Sequence, residues 1–297
     1  MSEPDLSAIL AGAVDQHVHS GPSAIRRGID HLGELEEAAG AGFRAVLLKD
    51  HYYATGPFAA FLNERGFFPG TKVLSGIALN NTAGGFSPFA VAHEALMGGR
   101  IAWLPTVSAA NHIAYAAEQA KAFDHPSREV ALPAETPLEL MEAGAIRDDV
   151  RQVLDTVAEH DMVLAGGHLH IDEIHLVFDE ARKRGVGRFL LNHPESIIKA
   201  SFEDVRQLAA ANVFIEHSMT RFVPGSRFRK YEPDLLRRHI EAAGVGRTIL
   251  ASDMGQARSA SPVQGMREAV RLCLDLGYSS EEVRTMISIN PSSLLGL

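Results

Sequence analysis

Cysteine is almost missing from this chain: Cys273, inside GMREAVRLCLDLG, stands alone among 297 residues. One thiol cannot build a disulfide framework or a thiolate zinc site, and it fits a reducing compartment. Basic residues are short too, with Lys and Arg at 28 against Asp and Glu at 37, a formal net charge of -9. That balance offers no basic face for nucleic acid phosphates. No apolar run reaches the roughly 18 to 20 residues of a membrane span, and the opening MSEPDLSAILAG has no basic stretch ahead of an apolar one. A cytoplasmic protein acting on a small molecule, without membrane or nucleic-acid partners, is expected. What is plentiful is apolar content, 46%, enough for a substantial core, and histidine, of which there are 14.

One local pattern recurs along the chain. A helical segment, one or two glycines, an arginine and a short apolar run appear as AGAGFRAVLLKDH, MGGRIAWLPT, KRGVGRFLLNHP and AAGVGRTILASD. Glycine after a helix reads as a left-handed cap, and an apolar run straight after it reads as a strand buried on both faces. Strands are predicted at 14–17, 45–49, 73–79, 101–105, 162–167, 189–192, 213–216 and 248–252, separated by amphipathic stretches such as DHLGELEEAAG and IDEIHLVFDEARKRG. Strict alternation of strand and helix predicts an α/β fold, a (βα)8 TIM barrel, as one domain over residues 1–297. Residues 123–149, rich in proline and charge, form an insertion after strand four, read as a lid or subunit contact. The charges of Glu34, Glu36 and Glu37 read as a solvated helix face.

In such a barrel the chemistry sits at the carboxyl ends of the strands. Those ends read DQHVH, LKDHY, ALNN, LPTVSAANH, GGHLH, LNHPE, FIEHS and ASDMG. Side chains alternate along a strand, so Asp15, His17 and His19 are expected on one face, with the two imidazoles converging on one divalent ion. His168, His193 and Asp253 end strands five, six and eight, and Asp253 stands where a barrel places a general base. Neutral imidazole suits zinc, with manganese, iron or nickel as alternatives.

In this order the motifs resemble the amidohydrolase superfamily of metal-dependent hydrolases, including its phosphotriesterase-like branches. The resemblance covers nearly the whole chain, and it implies His17 and His19 on the more buried metal, His168 and His193 on a second metal or on substrate, and Asp253 as ligand and base. The fourth strand, RIAWLPTVSA, departs from the pattern, since it lacks the carboxylated lysine or glutamate that bridges two metals in binuclear members. Lys49, on the same parity as His51 at the end of strand two, is read either as a substitute bridge or as a cation in contact with substrate or transition state; both are candidate catalytic residues. His112 either bonds a substrate carbonyl or caps the helix HIAYAAEQA. Neighbours on a strand face opposite ways, so Glu216 and His217 cannot both point inward, and Glu216 is taken as the substrate-binding one. Asp15, one step deeper, is read as a partner for an imidazole N–H.

The expected activity is metal-assisted attack of water on an amide, lactone or ester carbonyl, with one or two divalent ions and Asp253 moving the proton. Non-oxidative decarboxylation, phosphoester hydrolysis and a non-catalytic metal-binding barrel are the rival readings. Barrels of this kind often pair, which leaves a homo-oligomer open.

Overall fold

The computed structural model describes residues 5–118 and 133–297. Eight strands carry the architecture: β1 (Val14–Val18), β2 (Ala45–Leu48), β3 in two pieces (Lys72–Leu74 and Gly76–Ala78), β4 (Ile101–Trp103), β5 (Val163–Ala165), β6 (Arg188–Asn192), β7 (Val213–Ser218) and β8 (Thr248–Ala251). Every pairing between successive strands is parallel. The two pieces of β3 share the work, the first pairing with β2 and the second with β4. Just past β8 the chain returns to β1, where the His19 N–H donates to Met254 O at 2.8 Å and the Asp253 N–H to His17 O at 2.9 Å. The solved structures described below share this TIM-barrel fold.

One helix follows each strand on the outside: α1 (His31–Gly40), α2 (Gly56–Arg65), α3 (Pro88–Leu96), α4 (Asp148–Glu159), α5 (Ile171–Lys183), α6 (Phe202–Ala210), α7 (Pro233–Ala243) and α8 (Pro262–Asp275). Helix α5 shows why such segments fold in place. His170 and Glu173 close a capping box at its start, Arg182 and Lys183 meet the negative end of its dipole, and Ile171, Ile174, Val177, Phe178 and Ala181 form one buried stripe. Each large side chain in that stripe contributes about 1.5–3 kcal/mol of burial. Helix α2 has no counterpart in the sequence pattern, because GPFAAFLNER buries only Gly56, Ala59 and Leu62.

One apolar cluster draws buried residues from seven of the eight strands, Val14, Leu47, Ala78, Ile101, Val163, Leu190 and Ile249 among them, with Phe214 of β7 packed against it. Only the barrel interior can gather such a set. Leu294 and Leu295, from the helix Asn290–Leu295, join it. Of the insertion, residues 123–132 lie outside the described residues; beyond them, Met141–Glu142 pairs with Ala145–Ile146 as a small antiparallel hairpin ahead of α4. Among the described residues no helix is long and apolar enough to cross a membrane.

Candidate active site

A β-bulge in β1 sets up the site. Asp15 pairs with Val46 and Val18 with Leu48, so β1 spends one more residue than β2 over the same span. As a result the consecutive residues Gln16 and His17 both reach Glu216, Gln16 Nε2 at 2.7 Å and His17 Nδ1 at 2.6 Å. Asp15 leaves the face that it was expected to share with His17 and His19. Its Oδ1 accepts from the backbone N–H of His17 at 3.3 Å and of Ser252 at 3.1 Å, and burial pushes its carboxyl up to about 7. The partner of an imidazole N–H is therefore Glu216 and not Asp15. Glu216, expected to bind substrate, is fully buried, accepts from Asn192 Nδ2 at 2.6 Å as well, and is not among the residues that line the cavity. Burial works to raise its carboxyl, but the His17 imidazole and the bond to Gln16 hold it below the usual range.

These bonds decide which imidazole nitrogens are open. His17 Nδ1–H donates to Glu216, and His19 Nδ1–H donates to Lys49 O at 3.0 Å. Both Nε2 lone pairs are thereby turned towards Asp253 Oδ1, at 3.3 Å from His17 and 3.1 Å from His19. Burial pushes His19 down to about 3 and His193 well below the imidazole range. Burial also opposes ionisation of Asp253, yet the imidazoles of His17, His19 and His193 hold its carboxyl well below its ordinary value. One oxygen of Asp253 thus meets the Nε2 atoms of both His17 and His19, with the Lys49 ammonium on the same His17 nitrogen. His17, His193 and Asp253 bring ligand atoms within 4.8 Å of one another and could hold a metal ion. The donor set of imidazole nitrogen and carboxylate oxygen fits a divalent transition metal.

Lys49 is 1% exposed and donates from Nζ to His17 Nε2 at 3.0 Å, with the ring of Trp103 4.8 Å away. Burial brings its ammonium down to about 8. His51 reaches Thr106 Oγ1 at 2.8 Å and lines the cavity. His112 lies inside the helix Ala110–Glu118 and does not cap it; its Nδ1 is 2.7 Å from His168 Nδ1, and the two rings stack with centroids 4.7 Å apart. That bond leaves His168 Nε2 buried and without a partner among the described residues. His217 faces the other side of β7, towards Glu195 Oε2 at 3.2 Å.

Two of these strand ends carry strained backbone. His193 and Asp253 both adopt left-handed backbone, with φ of 56° and 50°. Such conformations cost on the order of 1–3 kcal/mol each and persist where surrounding structure imposes them. Gly167, at φ 63°, lets the end of β5 pass Leu104: a Cβ there would stand 2.2 Å from Leu104 O. His168 then donates its backbone N–H to Pro105 O at 2.9 Å and enters the site.

The site opens into a cavity of about 510 Å³ walled by His19, His51, His112, His168, His193 and Asp253, and by residues that strand-end reasoning did not select: Arg27, Tyr115, Glu135, Thr220, Arg221 and Gln256. Arg27, Glu135 and Gln256 come from loops, where sequence pattern carries least, Thr220 and Arg221 from the turn after β7, and Tyr115 from the helix Ala110–Glu118. Glu135 belongs to the described part of the insertion and bonds Ser108 Oγ at 2.6 Å.

Residues 12–216 match the model of a family of unknown function, DUF6282. The chain belongs to that family. No curated protein matches this DUF6282 member. Among solved structures it is similar to an amidohydrolase from Pseudomonas aeruginosa, at 10% identity and a TM-score of 0.61, covering 98% of each chain. It is also similar to an amidohydrolase from Burkholderia multivorans, at 15% identity and a TM-score of 0.57, covering 97% of this chain and 100% of that one. A third is N-acetyl-D-glucosamine-6-phosphate deacetylase from Mycobacterium smegmatis, at 13% identity and a TM-score of 0.55, covering 97% of this chain and 78% of that one. At these identities the likeness is one of fold, the TIM barrel.

Proposed function

We propose that this DUF6282 member is a metal-dependent hydrolase that activates water for attack on an amide, lactone or ester carbonyl of a small molecule. The observation that carries the reading is the convergence of the His17 and His19 Nε2 atoms, at 3.3 Å and 3.1 Å, on Asp253 Oδ1, beside a cavity that His19 and Asp253 line. His17, His19, His193 and Asp253 would hold the ion. A divalent metal there supplies Lewis acidity that lets water lose a proton near neutral pH. Glu216 keeps the His17 proton on Nδ1 and its lone pair on the cavity side. Asp253 takes the proton from the attacking water and delivers it to the leaving group, a step worth about a hundredfold to ten-thousandfold. With His112 donating to its Nδ1, His168 keeps its N–H on Nε2 and donates to the carbonyl oxygen as that atom gains charge. Lys49 adds fixed positive charge beside Asp253 and Glu216.

Metal analysis and a substrate panel test this. The protein purified without chelators is expected to carry stoichiometric zinc, manganese, iron or nickel. Removal of the metal is expected to abolish hydrolysis of the best lactone, cyclic amide or ester, and its return to restore it. A chain that binds no metal and hydrolyses none of the panel with metal added overturns the reading.

A further inference from the structure

The cavity holds two cations that the proposed chemistry does not use. Arg27 comes from the loop after β1 and Arg221 from the turn Met219–Arg221 after β7. The Arg27 side chain is 7% exposed, yet its Nε has no partner among the described residues and its one ion-pair contact, to Asp50 Oδ2, is a long 3.5 Å. The other oxygen of Asp50 is occupied by the Tyr52 N–H at 2.8 Å. Arg221 Nε is also buried and unpartnered, and among the described residues Arg221 makes no ion pair; the ring of Phe228 lies 5.9 Å from its guanidinium.

Among the described residues the carboxylates in the same wall form no ion pair with them. Glu135 is committed to Ser108 Oγ at 2.6 Å and Asn81 Nδ2 at 2.9 Å, and Asp253 is surrounded by imidazoles. A chain of net charge -9 has therefore placed two guanidinium groups in one cavity, Arg27 with only the long contact to Asp50 and Arg221 with no ion pair among the described residues. Burying such a group costs free energy that a ligand anion returns, and the guanidinium fork matches a carboxylate. The two arginines enter the cavity from different elements, Arg27 from the loop after β1 and Arg221 from the turn after β7. The same wall also carries the apolar side chains of Ile25, Val107, Ile113, Ile197 and Phe228.

We propose that the substrate is a small dicarboxylate with an apolar body, one acid group held by Arg27 and the other by Arg221, which sets its reacting carbonyl above Asp253. The proposal rests on the hydrolase reading for the identity of that carbonyl, but binding is measured without turnover. Isothermal titration of the full chain with isophthalate, benzoate, isophthalamide and inorganic phosphate tests it. Isophthalate is expected to bind at least about tenfold more tightly than benzoate or isophthalamide. Arg27→Met and Arg221→Met should each bring isophthalate down to the level of benzoate and leave isophthalamide unchanged. Arg27→Lys and Arg221→Lys, which keep the charge and guard against misfolding, should lose part of that affinity. Equal binding of isophthalate and isophthalamide, unchanged affinity in the Met variants, or displacement of isophthalate by inorganic phosphate as readily as by benzoate overturns the proposal. A protein that binds isophthalate through both arginines yet hydrolyses nothing sinks only the hydrolase reading. One that hydrolyses a neutral lactone and ignores isophthalate sinks only the dicarboxylate.

Discussion

The barrel interior is two different materials stacked along one axis. Towards the amino ends of the strands it is apolar, with Val14, Leu47, Ile101, Val163 and Ile249 all buried. Towards the carboxyl ends it is polar and equally buried, with His17, Lys49, Asn192, Glu216 and Asp253. Trp103 marks the boundary, since it belongs to the apolar cluster while its ring faces the Lys49 ammonium. The apolar end can be stabilising at no cost in polar groups, whereas the other end spends stability on desolvated charge and left-handed backbone. Substitutions at the two ends should therefore separate activity from stability. The largest effect is expected from Asp253→Asn, which should lower kcat by about a hundredfold to ten-thousandfold. Asparagine tolerates the φ of 50° that Asp253 adopts, so the melting temperature should move by only roughly 2–4 °C. Full activity in that variant removes Asp253 as the proton carrier. Next comes Ile101→Ala at the apolar end of β4, where loss of a fully buried side chain should cost about 2–5 kcal/mol. Thermal or urea unfolding reads that loss, and kcat per folded molecule should stay near wild type.

The two ends were also unequally legible in the sequence. All eight strands stand within a few residues of their expected positions, because a short apolar run after a glycine cap is a local signal and parallel barrel strands are buried on both faces. The strand-end order of His17, His19, His168, His193 and Asp253 is equally local. Roles were not, since they depend on register. The bulge between Asp15 and Val18 arises from pairing with β2, and no residue pattern in DQHVH announces it. It moved Asp15 off the imidazole face and handed its expected role to Glu216, which is 199 residues from His17 in the chain. Arg27 and Arg221 were missed for a related reason: they reach the cavity from loops, where spacing says nothing about direction.

Glu216 gives an intermediate test. Glu216→Gln keeps the shape but replaces the carboxylate that fixes the tautomer of His17. Metal affinity and kcat should each fall by about tenfold to hundredfold, as for other partners of metal-ligating histidines. A purely structural glutamate would instead lower the melting temperature and leave metal affinity alone, so a metal titration beside a melt tells the two apart.

Glu34 is the counterpart on the outer side of β1, and it shows what an unsupported carboxylate does. Its place in α1 suggested a solvated face, but Glu34 is 0% exposed and neither oxygen has a partner among the described residues. Burial first, then the charges of Asp15 and Glu37, raise its carboxyl well above the ordinary value of 4.5. The folded chain therefore holds a proton that the unfolded chain releases. Its contribution is intact below the unfolded value and is lost as pH climbs from there towards the folded one. Glu34→Gln removes the titration without changing the shape. The variant should melt like wild type at about pH 4 and more stably at about pH 8, with a gain on the order of 1–3 kcal/mol, or roughly 2–4 °C for each kcal/mol. Because this carboxylate meets no imidazole, kcat should be unaffected. An equal shift at both pH values would mean that packing, and not ionisation, separates Glu34 from Glu216.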